Sequence, residues 1–330
     1  MKKSIWHGTI IRTLAVFAFA SVPLASLRAA ETKVEQLTFG GFERKYVVSA
    51  PASRRPRPTV LVLHGSMANA QMASLGMGFE PLVNREELVA VYPNAVAGQW
   101  NDGRPAAAAW GGRSRDDVAF LRALVAHLVR TGVSDPQRVY VTGFSNGGMM
   151  ALRLMCEAAE VFAAAAVIAA PLPAELAGGC KPARPTPTLV MNGTADPLVP
   201  FGGGEVAFGG GRVLSTDDTI RFLRKVNGCA DSVKLDRLPD VDRNDGSSVV
   251  IASWTNCSSF APVVLYRIEG GGHRIPSRGE GVPFVEIMLG KLNHDFDAAE
   301  VIWSFFKDRT LAPAAHLERA PTHRESRITK

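Results

Sequence analysis

The chain has 330 residues, of which 46% are hydrophobic and 21% are charged, and this globular composition excludes the disordered, collagen-like and coiled-coil classes. Its formal net charge of +6 lies at the two ends, because residues 1–30 hold four basic and no acidic residues and residues 311–330 hold four basic and two acidic residues. Residues 31–310 are therefore neutral, which leaves no basic face to follow a phosphate backbone, and we expect no nucleic-acid partner.

The start of the chain has the pattern of a secretory signal peptide, which we assign to residues 1–30. Two lysines precede the apolar run Leu14–Leu27, which is shorter than the ~20 residues that cross a membrane. Cleavage is expected after Ala29 or Ala30, although neither cut has the preferred small residue three positions upstream. An uncleaved N-terminal anchor is the alternative. No other run is long and apolar enough to span a membrane, so we expect a secreted or periplasmic protein without an integral membrane segment.

The rest of the chain alternates apolar strands with helices. In chain order we predict strands over 33–40 and 42–50, a proline-rich connection over 51–58, a strand over 59–63, a helix around 79–87, a strand over 88–91, a loop over 94–115, a helix from Asp116 or Asp117, strands over 138–141, 162–172, 186–191 and 262–268, and a last helix over 298–306. Continuous apolar runs such as 59–63 indicate strands buried on both faces. The alternation predicts one α/β domain over 31–310, with a mostly parallel central sheet and helices on both faces, and then a polar, disordered tail over 311–330.

The sequence Gly-Phe-Ser-Asn-Gly at 143–147 stands between a predicted strand and a predicted helix. A Gly-x-Ser-x-Gly motif is a weak signal by itself, but this context is that of a nucleophile on a sharp strand-to-helix turn. The flanking glycines let the backbone turn tightly and lift Ser145 above the edge of the sheet. We therefore predict that Ser145 is a nucleophile; the alternative is a glycine-rich turn whose serine caps the helix.

A serine hydroxyl needs a neighbouring base, and on this type of fold an acid and then a histidine follow the nucleophile in the chain. Asp196 lies on the loop after the strand 186–191, and His273 lies on the loop after the strand 262–268. His273 is predicted to take the Ser145 proton, and Asp196 to hold the imidazole tautomer.

Other acids and histidines match these roles less well. Asp217 and Asp218 are expected to cap a helix that ends near Asn227. His127 falls in the middle of a predicted helix, and His294 lies beyond any strand end.

A tetrahedral intermediate carries a negative oxygen, which needs N–H donors already in place. One predicted donor is the backbone N–H of Asn146, directly after the nucleophile. The other is the backbone N–H of Ser66, on the loop after the strand 59–63. His64 is then either a support for this loop or a packed, hydrogen-bonded core histidine.

The four cysteines are expected to form two disulfides if the protein is exported. Three pairings are possible, and the most local joins Cys156 to Cys180 and Cys229 to Cys257. Each bridge would stabilise the fold by roughly 3–4 kcal/mol in the chain-entropy model. No Cys-x-x-Cys pair and no zinc-type Cys/His spacing occurs, so we expect no metal and no cofactor.

Taken together, four motifs resemble the secreted polyhydroxybutyrate depolymerase-like esterases, a family that also contains feruloyl and acetyl-xylan esterases. They are His-Gly-Ser at 64–66, Gly-Phe-Ser-Asn-Gly-Gly-Met-Met at 143–150, Asn-Gly-Thr-Ala-Asp-Pro-Leu-Val-Pro at 192–200 and Gly-Gly-Gly-His at 270–273, and the segments 116–121, 227–229 and 254–257 also match. The resemblance runs from about Val60 to Phe306. It implies an α/β-hydrolase fold with Ser145, Asp196 and His273 as the triad, and it supports the Cys229–Cys257 bridge.

Features outside these motifs bear on the substrate. Polymer-degrading members commonly carry a separate polymer-binding domain, which has no counterpart after the helix 298–306, so we expect weak adhesion to solid polyester and an ester substrate that is a soluble oligomer or a plant-wall ester. The glycine-rich stretch Gly202–Gly211 is either a mobile pocket wall or a disordered insertion. Trp100, Trp110 and Phe201 either line the rim of the site, where they would suit a phenolic acid, or pack in the core.

These observations favour a serine carboxylic-ester hydrolase that acts through an acyl-enzyme. A secreted serine peptidase on the same fold is an alternative, because acyl transfer to water also cleaves amides. A non-catalytic exported binding protein is the third hypothesis.

Overall fold

The computed structural model of the protein describes residues 30–52, 55–105, 115–279 and 283–311. Trp110, nearly all of the predicted signal peptide and the predicted tail beyond 311 lie outside these ranges. The strands are β1 (Glu31–Phe39), β2 (Phe42–Ala50), β3 (Arg57–Leu63), β4 (Val89–Pro93), β5 (Ser134–Phe144), β6 (Ala164–Ile168), β7 (Thr188–Gly193), β8 (Gly204–Glu205), β9 (Arg212–Val213), β10 (Lys234–Arg237), β11 (Ser248–Trp254) and β12 (Val263–Glu269). The helices are α1 (Ala70–Gly76), α2 (Glu80–Arg85), α3 (Asp117–Arg130), α4 (Asn146–Glu157), α5 (Ala174–Ala177), α6 (Thr216–Val226), α7 (Pro283–Leu289) and α8 (Ala298–Phe306).

One large sheet organises the described residues, with the strand order β1-β2-β4-β3-β5-β6-β7-β12-β11-β10. The six strands from β4 to β12 in this order run parallel, and antiparallel strands complete both edges. This confirms the predicted α/β class with a mostly parallel sheet. Because the central strands are parallel, the loops that follow β3, β5, β7 and β12 all emerge at the same edge, where ligands bind in sheets of this kind.

The sheet is buried on both faces, as the continuous apolar runs predict. In β3, Leu61 and Leu63 belong to a core layer that includes α3 and α4, whereas Val60 and Val62 belong to a second layer that includes α1, α2 and α8. Alternate residues of one strand thus hold helices on opposite faces, which fixes the strand ends in space.

Side chains at the helix starts explain where three helices begin. The Asn69 and Asp116 side chains accept hydrogen bonds from backbone N–H groups in the first turns of α1 and α3. The prediction that Asp217 or Asp218 caps α6 is wrong: the cap is Ser215, whose hydroxyl accepts from the Asp218 N–H at 2.9 Å. The Asp218 carboxylate in turn accepts from the Ser215 hydroxyl at 2.7 Å, so its role is to pair with the cap.

Two disulfides join Cys156 to Cys180 and Cys229 to Cys257. The first joins the last turn of α4 to the residues that follow α5. The second joins the residues that follow α6 to those that follow β11. Within the described ranges, no helix combines the length and the hydropathy that a membrane crossing requires.

A buried ion pair fixes the start of α3 against the sheet. The Arg44 guanidinium on β2 lies 2.8 Å from the Asp117 carboxylate, and both side chains are at most 5% exposed. The same carboxylate accepts the Asn101 N–H at 2.9 Å, and the guanidinium stands 3.7 Å from the centroid of the Phe120 ring. Burial lowers the pKa of Arg44 and the Asp117 charge opposes this shift, so the arginine depends on its partner.

We predict that Asp117→Ala lowers the free energy of unfolding by about 3–5 kcal/mol, because it leaves the Arg44 charge buried and unpaired. Asp116→Ala is the matched control: it removes an exposed helix cap next to Asp117 and is expected to cost about 1 kcal/mol. Denaturant unfolding of both variants with the disulfides intact measures the difference. Equal costs would show that the buried pair adds nothing beyond helix capping.

Candidate active site

Ser145 occupies the sharp turn between β5 and α4. Its backbone has φ 55° and ψ −123°, a conformation that is strained for any residue other than glycine. Its side chain makes no capping hydrogen bond to α4, so the interpretation of Ser145 as a helix cap is wrong. Instead the residue is half-buried and lines a cavity.

The glycines on either side of Ser145 allow the turn to touch its neighbours. A Cβ atom at Gly143 would stand 2.3 Å from the Gly147 carbonyl oxygen, and one at Gly147 would stand 2.3 Å from the Leu63 carbonyl oxygen. Any other residue at either position would force backbone atoms apart. The turn therefore packs directly on the backbone of the loop that follows β3.

Asp196 and His273 form a hydrogen-bonded pair on the loops after β7 and β12. The Nδ1 atom of His273 lies 2.7 Å from Oδ2 of Asp196, and both residues are buried. The other carboxylate oxygen accepts the N–H groups of Leu198 and Val199, each at 2.8 Å. Because the carboxylate only accepts, it holds the proton on Nδ1 and leaves Nε2 free to act as a base.

Ser145 and His273 line the same cavity, with the Phe144 ring centroid 4.8 Å from that of the His273 imidazole. Within the described ranges, the Ser145 hydroxyl makes no hydrogen bond. The structure thus joins His273 to Asp196 directly and brings Ser145 to the same cavity without a hydrogen bond to His273. Nucleophile–base contacts are often long before substrate binds.

The two predicted oxyanion donors are the backbone N–H groups of Ser66 and Asn146. The N–H groups of Met67 and Ala68 donate to Gly98 and Gly65, whereas the N–H of Ser66 makes no hydrogen bond within the described chain. Asn146 is the first residue of α4, where a helix N–H has no intrahelical acceptor. Ser66 lines the cavity, and the two N–H groups stay the predicted donors.

His64 is buried with both ring nitrogens paired. Nδ1 lies 2.7 Å from the Gly65 carbonyl oxygen, and Nε2 accepts the Ala95 N–H at 3.0 Å. Only the neutral ring with its proton on Nδ1 can make both bonds, and burial lowers the pKa of His64, which favours this form. His64 is therefore a core histidine that also supports the loop carrying Ser66.

Three buried side chains on or beside the 94–115 loop were not predicted from the sequence. The Asn146 amide accepts from the Trp100 backbone N–H, donates to the Trp100 carbonyl oxygen, and donates to the Asp102 carboxylate at 2.6 Å. Asp102 also accepts from the Arg104 guanidinium at 2.6 and 2.9 Å. Arg104 in turn donates to the Gly210 carbonyl oxygen. No spacing rule links residues so far apart in the chain, so only the fold brings them together.

The cavity beside Ser145 has a volume of about 380 Å³, which is within the range of small-molecule sites. Its lining is mostly apolar and includes Met67, Met72, Met149, Leu198, Val199, Val206, Phe208 and Leu289. Trp100 is fully buried and packs in the core, so the alternative that it lines the rim of the site is wrong. Phe201 does not line the cavity; its ring lies beneath the Arg267 guanidinium.

The glycine-rich stretch Gly202–Gly211 forms one wall of this cavity. It contains β8 and the turn that leads to β9, and these two short strands pair with each other. Val206, Phe208 and Gly210 line the cavity, and Phe208 is 79% exposed at its mouth. The alternative of a disordered insertion is wrong.

The rival histidines lie elsewhere. His127 contacts Arg130 on α3, and the His294 backbone N–H donates to Asp245; neither residue lines the cavity. Across the described ranges, no group of three or more His, Cys, Asp and Glu side chains is arranged to hold a metal ion.

Comparison with known proteins places these features in a family. The provisionally named esterase NocK of Nocardia uniformis is 30% identical over 311 residues, which cover 88% of this chain and 87% of NocK. Feruloyl esterase B of Piromyces equi is 31% identical over 72% of this chain, which spans only 43% of that protein. Residues 99–174 match the sequence profile of the prolyl oligopeptidase family.

A solved structure supports the fold. The acetyl xylan esterase of Aspergillus awamori superposes with a TM-score of 0.52 at 15% identity, covering 78% of this chain and 97% of that one. The sheet order, the turn at Ser145 and the extent of the match to NocK lead to one conclusion: the chain belongs to the esterase family of α/β-hydrolases.

Proposed function

We propose that the protein is a secreted serine carboxylic-ester hydrolase with Ser145, His273 and Asp196 as its catalytic triad. The observation that carries this proposal is the buried His273–Asp196 hydrogen bond of 2.7 Å. His273 lines the same cavity as Ser145, whose turn is strained. Acyl transfer needs a nucleophile, a base and an acid that orients the base, and all three lie here at the same edge of the sheet.

In the proposed reaction, Ser145 Oγ attacks the ester carbonyl while His273 Nε2 takes its proton. Asp196 stabilises the imidazolium, and the N–H groups of Ser66 and Asn146 donate to the negative carbonyl oxygen. The intermediate collapses to an acyl-enzyme as His273 gives the proton to the departing alcohol. A water activated by His273 then frees the acid and restores Ser145.

We propose plant-wall esters, with an aromatic acyl group such as feruloyl, as the substrate class. The cavity is mainly apolar, and Phe208, Met67 and Met72 are exposed at its mouth, where they can contact a flat ring. The name of one relative, feruloyl esterase B, agrees with this class, whereas the bifunctional acetylxylan esterase/xylanase from Neocallimastix patriciarum is named for a different plant-wall ester. Acetyl esters and soluble 3-hydroxybutyrate oligomers are the other outcomes of the test.

The first prediction concerns the nucleophile. Ser145→Ala is expected to lower kcat for ester hydrolysis by several powers of ten, because no other group can form the acyl-enzyme. Ser134→Ala is the matched control: Ser134 is a buried serine at the opposite end of β5, and its loss should leave kcat unchanged. Wild-type turnover in Ser145→Ala would contradict the triad.

The second prediction concerns the substrate. We expect the protein to release acid faster from methyl ferulate than from acetylated xylan or a soluble 3-hydroxybutyrate oligomer. In Phe208→Ala, KM for methyl ferulate is expected to rise about 5- to 10-fold, because one aromatic contact is lost. Phe260→Ala is the control, since Phe260 is 93% exposed just before β12, at the opposite edge of the sheet. Preference for the oligomer would assign the enzyme to polyester breakdown.

A serine peptidase is the second candidate, because the prolyl oligopeptidase profile covers the Ser145 turn. Faster cleavage of a peptide amide than of an ester with the same acyl group would favour it. A non-catalytic binding protein would instead fail to react with a labelled fluorophosphonate at Ser145.

Export is the third part of the proposal, and two disulfides and the apolar N-terminal run support it. We predict that residues 1–30 act as a signal peptide, ahead of one catalytic domain over 31–310 and a polar tail over 311–330. Mass spectrometry of the exported protein should find a mature chain that begins at Ala30 or Glu31. A chain that keeps residues 1–29 would identify an uncleaved anchor.

A further inference from the structure

The Asn146 side chain is fixed by three hydrogen bonds directly beside one proposed oxyanion donor, its own backbone N–H. Its amide oxygen accepts the Trp100 N–H at 2.8 Å, and its amide nitrogen donates to the Trp100 carbonyl oxygen at 3.0 Å. The nitrogen also donates to Asp102 at 2.6 Å. Asn146 is 1% exposed, so no water competes for these bonds.

Asp102 is fully buried, and the Arg104 guanidinium neutralises its charge. One carboxylate oxygen accepts from Asn146 and from two guanidinium nitrogens, and the other accepts the Arg104 backbone N–H at 3.0 Å. Arg104 also lines the cavity, and the pair as a whole carries no net charge. Its geometric effect is to orient the Asn146 amide.

The same segment also holds the loop that carries the second proposed donor. The Trp100 indole N–H donates to the His64 carbonyl oxygen at 3.0 Å, two residues before Ser66, and the Trp100 and His64 ring centroids are 5.2 Å apart. Trp100 thus contacts Asn146 through its backbone N–H and C=O and the Ser66 loop through its side chain.

We propose that Asn146 and Asp102 are positioning residues: through Trp100, the Asn146 amide and the Asp102 carboxylate set the spacing between the N–H groups of Ser66 and Asn146. This inference rests on the proposed ester-hydrolase function. Donors in an oxyanion hole act on the transition state more than on the bound substrate, so a change in their spacing lowers kcat and leaves KM unchanged.

Asn227 offers a matched control for a test of this proposal. It is 2% exposed; its amide accepts from the Thr186 N–H at 3.1 Å and donates to the Thr186 carbonyl oxygen at 2.8 Å and to the Ala261 carbonyl oxygen at 3.0 Å. As at Asn146, two hydrogen bonds join the amide to the backbone N–H and C=O of one residue, and a third goes to another acceptor. Thr186 and Ala261 precede β7 and β12, so the contact lies at the edge of the sheet opposite Ser145.

The experiment compares Asn146→Ala and Asn227→Ala, each normalised to the active sites that a fluorophosphonate titrates. We expect kcat to fall by about 10- to 100-fold in Asn146→Ala, with KM unchanged, and to stay at the wild-type value in Asn227→Ala. Affinity for a trifluoromethyl ketone, whose adduct places an oxyanion between the donors, should fall by the same factor as kcat. Both variants should lose similar stability.

An unchanged kcat per active site in Asn146→Ala, with stability lost as in Asn227→Ala, would overturn the proposal and leave a merely structural asparagine. If Asn146→Ala does not fold, Asn146→Asp keeps the side-chain volume and sets a carboxylate against Asp102, and the same fall in kcat and inhibitor affinity is expected. Absence of ester hydrolysis in the wild type, or its survival in Ser145→Ala, would instead refute the proposed function.

Discussion

The close contact between two backbone turns is the constraint on which the rest of the site depends. β3 and β5 are neighbours in the sheet, and Gly147 leaves no space between the start of α4 and the carbonyl groups of Leu63 and His64. This contact sets the turn that carries Ser145 against the loop that carries Ser66. It also explains why the strained backbone of Ser145 persists, since packing on both sides fixes it.

The sequence predicts the frame of the fold because the frame depends on local patterns. Continuous apolar runs mark strands buried on both faces, and the predicted helix over 298–306 has the observed bounds. Asp196 and His273 could be placed for a related reason, since strand ends in a parallel sheet share an edge. Helix α1 was missed because its seven residues show no clear apolar period, and its start depends on the Asn69 cap.

The parts that escaped prediction depend on contacts between distant residues. Nothing in the sequence distinguishes Asp102 and Arg104, in a long loop, from charges that face solvent, yet both are buried by the start of α4 and by the turn before β9. The same holds for the glycine-rich stretch, whose composition is compatible with disorder and with a tight hairpin. Only the pairing of β8 with β9 shows that it is a hairpin. Ser215 caps α6 for a shorter-range reason: it directly precedes the first helical residue, Thr216, whereas Asp217 and Asp218 already lie in the first turn.

The hydrogen bond from Arg104 to the Gly210 carbonyl oxygen has a consequence for how this scaffold can change its substrate. It joins the backbone of the cavity wall to the residues that contact Asn146, so insertions or deletions in that wall would shift those residues as well as the shape of the cavity. Side chains that project from the wall, such as Phe208, carry no such tie. New substrate specificities in this lineage should therefore arise first by substitution of those side chains, while the length of the loop stays the same.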